Sequence, residues 1–402
     1  MGRKILLIIL YLYALIFSVL KTIRFPSDWS ESHWMLDYRF GFIKRGLGGE
    51  IFGLLFEKNP HTIFIFSAGV LLLLYALLFG IAIKETFKRE NDFHRILFFL
   101  IFFLSQYIVF SAHLIGYLDH IVILLTILTV YLIKNKKVFL SSLIATICIF
   151  IHEISFFLLL PISCFALILT EIPVDKFSFK AIFSKNVLTK LILFLVFPFC
   201  AILSVTIFQE KNEEIHFTKI FNYLWQTCIV SEGVADSVAS AYTRSFTYYF
   251  SEEKGYFIQR LFISTCTIFN GIPILFSLWM IFKEFRLKKN IQLFLLLAIV
   301  AFIPLLLHAI AFDTYRIWAF PFIILFLGFW IISSKMDIPK EKPQKLSLLE
   351  IVFFVISFLM ITLIPNHLFD KEIERISLLG RLVIVLPIFL ILYFLRKPRT
   401  IG

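Results

Sequence analysis

Residues 138–170, VFLSSLIATICIFIHEISFFLLLPISCFALILT, decide how this chain folds. The run is mostly apolar, but it is too long for one crossing of a hydrocarbon core of about 30 Å, which takes about 20 helical residues. It also carries His152 and Glu153 at its middle, where a single straight helix would bury both side chains in lipid. We therefore predict two short helices that meet near His152 and Glu153, although neither Gly nor Pro marks the turn between them.

The rest of the chain indicates an all-α, polytopic integral membrane protein. Hydrophobic residues make up 60% of the chain and charged residues 16%, and the other apolar runs are each about as long as one membrane crossing. These runs cover residues 4–20, 62–83, 95–112, 116–133, 187–208, 260–282, 291–310, 316–332, 348–364 and 378–395. Together with the two short helices they predict about twelve transmembrane helices in a single integral membrane domain, residues 1–402.

The positive-inside rule favours two crossings over one for residues 138–170. With one crossing the basic stretches 283–289 and 335–345 would both lie outside, whereas with two crossings every basic connector lies in the cytoplasm. The first segment follows Arg3 and Lys4 and has no small-residue cleavage site, so we interpret it as a retained signal anchor. The prediction is a multi-pass protein of the cell inner membrane with cytoplasmic N- and C-termini.

Cysteine usage argues against a disulfide-rich or cysteine-metal protein, and the net charge does not indicate a nucleic-acid-binding protein. All the cysteines except Cys228 fall in apolar runs, so neither a disulfide framework nor a cysteine-based metal site is indicated. The net charge of +12 is explained by cytoplasmic loops that face anionic lipid. Membrane lipid is therefore an expected partner, and nucleic acid is not.

The predicted topology gathers unusual polar residues at the outer side of the membrane. They lie in a first outer loop, residues 21–61, in short turns between spans, and near a long outer loop, residues 209–258. The set comprises Asp28, Asp37, Arg39, Lys44, Arg45, His113, Asp119, His120, His152, Glu153, Asp313 and Arg316. Ionisable groups at membrane depth pair with one another or line a cavity, so we predict a shared polar cavity that opens outward.

The first outer loop carries the leading candidates for a site. Asp37 could act as a general base toward an acceptor hydroxyl or hold a divalent cation. Arg39, Lys44 and Arg45 are candidates for binding a charged substrate, since glycines follow Arg45 and a helix starting near Leu47 would direct its positive end toward a phosphate. The alternatives are an Asp37 that pairs with Arg39 or caps a short helix, and basic residues that anchor to lipid headgroups.

A second set of candidates lies beyond the first loop. Asp119, His152 and Glu153 could serve as acid, base or metal ligands, and His120 could bind substrate, although no H-E-x-x-H spacing indicates zinc. The alternative for His152 and Glu153 is a hydrogen bond that ties two helices together. Arg316, three residues after Asp313, either forms a structural salt bridge or binds a phosphate.

The long outer loop is predicted to contain an interfacial helix over residues 215–230, where apolar side chains recur at helical spacing. Residues 242–256 are rich in Tyr, Phe, Ser and Thr. Aromatic rings beside hydroxyl groups suit stacking on a sugar, but membrane-interface belts use the same residues.

The architecture resembles the GT-C superfamily of membrane glycosyltransferases. The shared features are a cytoplasmic N-terminus, an acidic residue (Asp37) soon after span one, a second acidic position (Asp119) between spans three and four, and many Phe- and Leu-rich spans. The resemblance implies a polyprenyl-linked sugar donor, a glycan acceptor and, as in several of these enzymes, a divalent cation such as Mg²⁺ or Mn²⁺. The chain has no DxD or ExD motif, only Asp37-Tyr38-Arg39 and the lone Asp119.

In length, span count and the large second outer loop, the chain also resembles Wzy-type polymerases of surface polysaccharides. That resemblance implies a role for outer-loop arginines, here Arg244 and Arg260. We predict a membrane glycosyltransferase of envelope polysaccharide synthesis that uses a polyprenyl-phosphate-linked donor at the outer face. The alternatives are a Wzy-type polymerase, a transporter or flippase of a lipid-linked substrate, and a membrane acyltransferase with His152 as base.

Overall fold

The computed structural model describes residues 2–89, 91–228, 230–336, 345–366, 368, 372 and 374–396, which form helices and no strand. Residues 337–344, most of one predicted basic connector, lie outside this part of the chain. The helices are α1 Gly2–Leu20, α2 Asp28–Met35, α3 Gly46–Leu55, α4 Pro60–Phe87, α5 Phe93–Leu104, α6 Gln106–His113, α7 Asp119–Lys134, α8 Val138–Ile151, α9 Ser155–Glu171, α10 Phe179–Ile182, α11 Lys185–Asn222, α12 Glu232–Thr243, α13 Phe246–Glu253, α14 Thr265–Glu284, α15 Ile291–Phe302, α16 Thr314–Ser333, α17 Leu348–Leu363 and α18 Leu378–Arg396.

Among the described residues, eight helical segments are long and apolar enough to cross a membrane. They are α1, α4, α5 with α6, α11, α14, α15 with the 3₁₀ turn Ile303–Ala309, α16 and α18. The other four predicted spans are the shorter helices α7, α8, α9 and α17, of 14 to 17 residues. The all-helical class and the positions of the apolar segments are thus as predicted, and twelve crossings remain a prediction.

The break in the apolar run 138–170 lies where it was predicted. Helix α8 ends at Ile151, His152 has an extended backbone with φ −160° and ψ 120°, and α9 begins at Ser155. Lys335 interacts electrostatically with both Lys136, just before α8, and Glu171, the last residue of α9. Because both ends of the run approach the same lysine, α8 and α9 fold back on each other as a hairpin with His152 at its tip.

Two helical segments are enclosed by the others and form the centre of the core. These are α5 with α6, and α16, and they meet through close aromatic pairs, with 4.7 Å between the ring centroids of Phe98 and Phe329. A bend at Ser105, whose hydroxyl donates to the Phe102 carbonyl, separates α5 from α6. The central position of α16 fixes its first turn, which carries Arg316, at the end of the bundle where the hairpin tip lies.

The first outer loop folds over this end of the bundle. Trp34 in α2 donates its indole N–H to the Gly116 carbonyl at 2.7 Å, in the turn before α7. In α3, a Cβ on Gly49 would lie 1.9 Å from the Leu36 carbonyl oxygen, so only glycine allows this approach. A Cβ on Gly48 would meet Leu118 at 3.1 Å, so α3 lies directly on the start of α7.

The long outer loop differs from the prediction at its start. The expected separate interfacial helix over residues 215–230 is instead a continuation of α11, which runs unbroken from Lys185 to Asn222 and ends in a π-helical turn, Tyr223–Thr227. The physical reason is that neither Gly nor Pro occurs between Phe208 and Asn222, so nothing in the sequence ends the helix. Shorter helices, α12 and α13, form the rest of the loop.

The hairpin predicts a specific pattern of chemical accessibility. In a cysteine-free background, Lys137→Cys and Pro173→Cys should react with a membrane-impermeant maleimide only after cells are opened, because both flank the hairpin at its basic end. Lys254→Cys, between α13 and α14, should react in intact cells. Labelling of positions 137 and 173 from opposite sides of the membrane would show that the run crosses once.

Candidate functional site

Six ionisable residues form a continuous chain of charge contacts at the tip of the hairpin. They come from four separate segments: the N-terminal cap of α3, the α8–α9 break, the first residue of α7 and the start of α16. We call them the charged cluster, which in order of contact comprises Arg45, Glu153, His152, Asp119, Arg316 and Asp313. The structure therefore brings together five of the predicted site residues with Asp313.

One end of the charged cluster is a two-pronged ion pair between Arg45 and Glu153. The Arg45 Nε lies 3.0 and 2.9 Å from the two carboxylate oxygens of Glu153, and its Nη2 also bonds to Oε1. Arg45 takes a left-handed backbone conformation, φ 62°, as it caps α3. That conformation, which is unfavourable for a non-glycine residue, places Arg45 at the hairpin tip.

His152 lies between two carboxylates. Its Nδ1 is 3.3 Å from the Glu153 Oε2, and its Nε2 is 3.6 Å from the Asp119 Oδ1. The imidazole is buried, with 5% of its residue surface exposed. The Ile154 backbone N–H donates to Nδ1 at 3.3 Å, which fixes the orientation of the ring. Burial, together with the positive charge of Arg45, lowers the pKa of His152, so the imidazole is neutral, the form that a general base requires.

The other end of the charged cluster is anchored by Arg316. Its Nε and Nη2 donate to the two carboxylate oxygens of Asp119 at 2.8 and 2.6 Å, and its Nη1 donates to Asp313 at 3.1 Å. The structural salt bridge considered for Asp313 and Arg316 is thus present. The two-pronged pair with Asp119, 197 residues away in sequence, was not predicted.

Aromatic side chains and a further histidine surround the charged cluster. The buried His33 of α2 has its Nδ1 3.1 Å from the Tyr242 hydroxyl, and its ring lies 5.3 Å from that of Tyr117. The Arg45 guanidinium is 5.8 Å from the Tyr242 ring centroid. Burial, together with the positive charges of Arg45 and Arg316, holds the pKa of His33 well below its usual value, so His33 is neutral. Sequence reasoning missed His33, because a histidine in a polar loop gave no signal.

His120 makes local contacts outside this chain. Its Nδ1 is 3.1 Å from the Tyr117 carbonyl and its Nε2 is 2.9 Å from the Ser111 carbonyl. Both ring nitrogens therefore face backbone oxygens. These contacts tie the first turn of α7 to the end of α6, which helps to position the neighbouring Asp119.

Asp37 and Arg39 form a different group of charges. The Asp37 carboxylate accepts from the Arg39 Nε at 2.9 Å, from the Arg39 backbone N–H at 3.0 Å and from the Lys58 ammonium group. Partial burial opposes ionisation of Asp37, but the hydrogen bonds from Lys58 and Arg39 hold its pKa below the usual value. The ion pair with Arg39 and the helix-capping hydrogen bond are both alternatives that the sequence suggested for Asp37. With Lys58 added, the carboxylate contacts two cations.

Lys44 and Arg244 meet beside the charged cluster. The buried Lys44 ammonium group donates to the Arg244 backbone carbonyl at 2.7 Å and lies 5.1 Å from the Tyr249 ring centroid. Burial lowers the pKa of Lys44 to about 8, with Arg45 adding to the effect. The Arg244 guanidinium forms an ion pair with Glu213. Of Lys44 and Arg244, Lys44 is the closer to the charged cluster, because it precedes Arg45 in the chain.

The charged cluster does not fit a divalent cation. Metal sites take free carboxylate oxygens, but here Arg45 and Arg316 occupy both oxygens of Glu153 and Asp119. Within the described residues, no group of three or more His, Cys, Asp or Glu side chains could hold a metal ion.

Comparison with known proteins gives no relative: no family model matches the chain, and neither a curated protein nor a solved structure matches it. The resemblances to GT-C glycosyltransferases and Wzy-type polymerases therefore stay at the level of architecture.

The Arg45–Glu153 pair predicts strong energetic coupling. Either Arg45→Met or Glu153→Gln should lower the free energy of unfolding by about 3 kcal/mol, because each leaves a mostly buried charge or polar group unpaired. The double variant should lose much less free energy of unfolding than the sum of the losses in the two single variants. Denaturant unfolding in detergent measures this, with Arg39→Met as control, since Arg39 is half exposed and its pair should contribute less than about 1 kcal/mol. Additive losses would show that the pair is not coupled.

Lys44 predicts a pH dependence of stability. Because its pKa is about 8 in the folded protein and that of an unfolded lysine is higher, about 10.4, the unfolded chain binds the extra proton between these values. Stability should therefore rise with pH from about 8 to 10, by at most about 1.4 kcal/mol per pH unit. The thermal midpoint of the wild type minus that of Lys44→Met should show this rise. A flat difference would mean that Lys44 keeps its ordinary pKa.

Proposed function

We propose that this chain is a membrane glycosyltransferase that moves a sugar from a polyprenyl-phosphate carrier to a glycan acceptor at the outer face of the inner membrane, in envelope polysaccharide synthesis. The observation that carries the proposal is a histidine placed between two carboxylates and flanked by two arginines, at one end of a bundle of membrane-length helices. A base beside cations is what transfer from a phosphate-linked donor needs.

The acceptor hydroxyl would be activated by His152. The 3.6 Å between Nε2 and Asp119 is longer than a hydrogen bond and leaves Nε2 open to the acceptor hydroxyl. Nε2 acts as the base when the ring proton lies on Nδ1, which is 3.3 Å from the Glu153 Oε2. In the structure Nδ1 accepts the Ile154 backbone N–H at 3.3 Å, so the ring must exchange this contact for one with Glu153 before Nε2 can take the proton. The acceptor oxygen forms a bond to the anomeric carbon of the donor sugar, and the bond from that carbon to the phosphate oxygen breaks. The proton passes to His152, and polyprenyl phosphate leaves with the bonding electron pair.

The leaving phosphate would be bound beside Arg45. Arg45 uses Nε and Nη2 on Glu153, which leaves Nη1 to donate to a phosphate oxygen, and Lys44 is the next residue in the chain. Guanidinium groups bind phosphate oxygens strongly and retain their charge in a buried site. We place the base at His152 and not at Asp37, because Asp37 is already paired with Lys58 and Arg39.

The alternatives predicted from the sequence gain less support. The arginines implied by a Wzy-type polymerase, Arg244 and Arg260, are paired with Glu213 and Glu253. A flippase needs a charged path but no base. Deleting the gene and analysing surface glycans and lipid-linked intermediates by mass spectrometry separates these classes. A polymer that lacks one sugar supports the transferase, single repeat units on the carrier indicate a polymerase, and an unchanged profile contradicts both.

Substitution at His152 tests the assignment of the base. His152→Gln should lower glycan formation in the complemented deletion strain by about 10²-fold or more, because a general base contributes at least that factor. The control is His61→Gln, an exposed histidine at the start of α4, which should keep wild-type activity. Equal membrane levels of both variants are required. Full activity in His152→Gln together with loss in Asp37→Asn would move the base to Asp37.

A further inference from the structure

A second polar site lies at the opposite end of the bundle, where α4, α7 and α16 all end. A cavity of about 470 Å³ opens between these three helices. Its lining includes three lysines, Lys84, Lys134 and Lys335, and the aromatic side chains of Tyr131 and Trp330. This is the end that holds the basic connectors, which are cytoplasmic in the predicted topology.

Within the described residues, the three lysines have no ion-pair partner within 4 Å. The Lys134 ammonium group instead lies 4.1 Å from the Trp330 ring centroid. Glu85 attracts Lys134, but its carboxylate already accepts from Lys88 and from the Ser333 hydroxyl. Lysines at helix C-termini also offset the helix dipole. That effect accounts for a lysine at one helix end, but not for three that converge on one cavity without an acid among the lining residues.

The cavity is continuous with an exposed apolar face of α4. On α4 the residues Leu73, Leu77, Gly80 and Lys84 follow one another at intervals of three or four and so lie on one helix face. Leu73 and Leu77 are 53% and 39% exposed, and a Cβ added to Gly80 would meet nothing within 4 Å. An exposed apolar face that ends at clustered ammonium groups matches a phospholipid, with acyl chains beside the helix and a headgroup phosphate at its end.

We propose that this cavity, which we call the basic groove, binds the headgroup phosphate of an anionic phospholipid in the cytoplasmic leaflet, with an acyl chain along α4 past Gly80. Partial burial and the nearby charge of Lys136 lower the pKa of Lys335 despite the opposing attraction of Glu171, so one carboxylate does not offset the positive charge gathered there. An anionic phosphate would relieve that crowding. A zwitterionic headgroup would do so less, because its own ammonium group adds positive charge.

Native mass spectrometry of the purified full-length protein, titrated with phosphatidylglycerol and with phosphatidylcholine of the same acyl chains, tests the proposal. The wild type should prefer phosphatidylglycerol. The triple variant Lys84→Gln, Lys134→Gln, Lys335→Gln should lose this preference, with affinity falling roughly a hundredfold. The matched control is Lys180→Gln, Lys288→Gln, Lys289→Gln, which removes equal charge from exposed positions outside the cavity lining and should bind as the wild type does.

A pair of glycine variants in α4 tests the acyl-chain path without changing the charge of the protein or the end of a helix. Gly80→Leu should fill the groove and weaken phosphatidylglycerol binding by about tenfold. Gly69→Leu lies on the same helix, also faces open space, and does not line the cavity, so it should have no effect. This pair decides the matter if the triple lysine variant fails to fold.

Three results would overturn the proposal. The first is equal binding of the two lipids by the wild type, and the second is an equal loss in the matched control variants. The third is saturation of the site by inorganic phosphate as readily as by phosphatidylglycerol, which would make the groove a site for free phosphate.

Discussion

The ion pair between Arg45 and Glu153 is the contact on which the rest of the structure at the hairpin tip depends. A glutamate within an apolar run of more than thirty residues would cost several kcal/mol if it were left unpaired in lipid. The left-handed backbone of Arg45 costs only about 1–2 kcal/mol. The strained cap on α3 is therefore the smaller cost, and it allows the first outer loop to fold over the hairpin tip and pair with Glu153.

The charge balance of the cluster is suited to gaining one proton. Two arginines face three carboxylates, so with a neutral His152 the six residues carry one net negative charge. Protonation of the imidazole makes the sum zero. Burial and the positive charge of Arg45 still lower the pKa of His152, so the imidazole is neutral before the reaction and the carboxylates offset only part of the cost of protonating it. Arg45 and Arg316 thus hold Glu153 and Asp119 in place around His152. The one negative charge that the two arginines do not neutralise is balanced when the imidazole gains a proton.

Much of the fold could be predicted from sequence, because lipid imposes a local rule. Each apolar run had to become a helix, and the break at His152 followed from the cost of burying a charge in lipid. The helix expected near Leu47 begins at Gly46. Pairing could not be predicted in the same way: Asp119 meets Arg316 across 197 residues, and no local pattern encodes that distance. The same limit hid Lys58, the partner of Asp37, since its contacts exist only in the folded loop.

The two ends of the bundle use positive charge in opposite ways, and composition alone cannot distinguish them. At the hairpin tip, Arg45 and Arg316 are matched by carboxylates, so their charge is already balanced and is available to a ligand only through donors that the pairs leave unused. At the other end, the lysines of the basic groove have no acid in the cavity lining and only Glu85 and Glu171 nearby, so they keep an excess of positive charge that an anion from outside the protein would balance. The net charge of +12 contains both kinds of residue. A basic residue that orders a site and one that binds an anion differ only in whether a carboxylate lies beside it. Tertiary structure decides which residues lie beside each other.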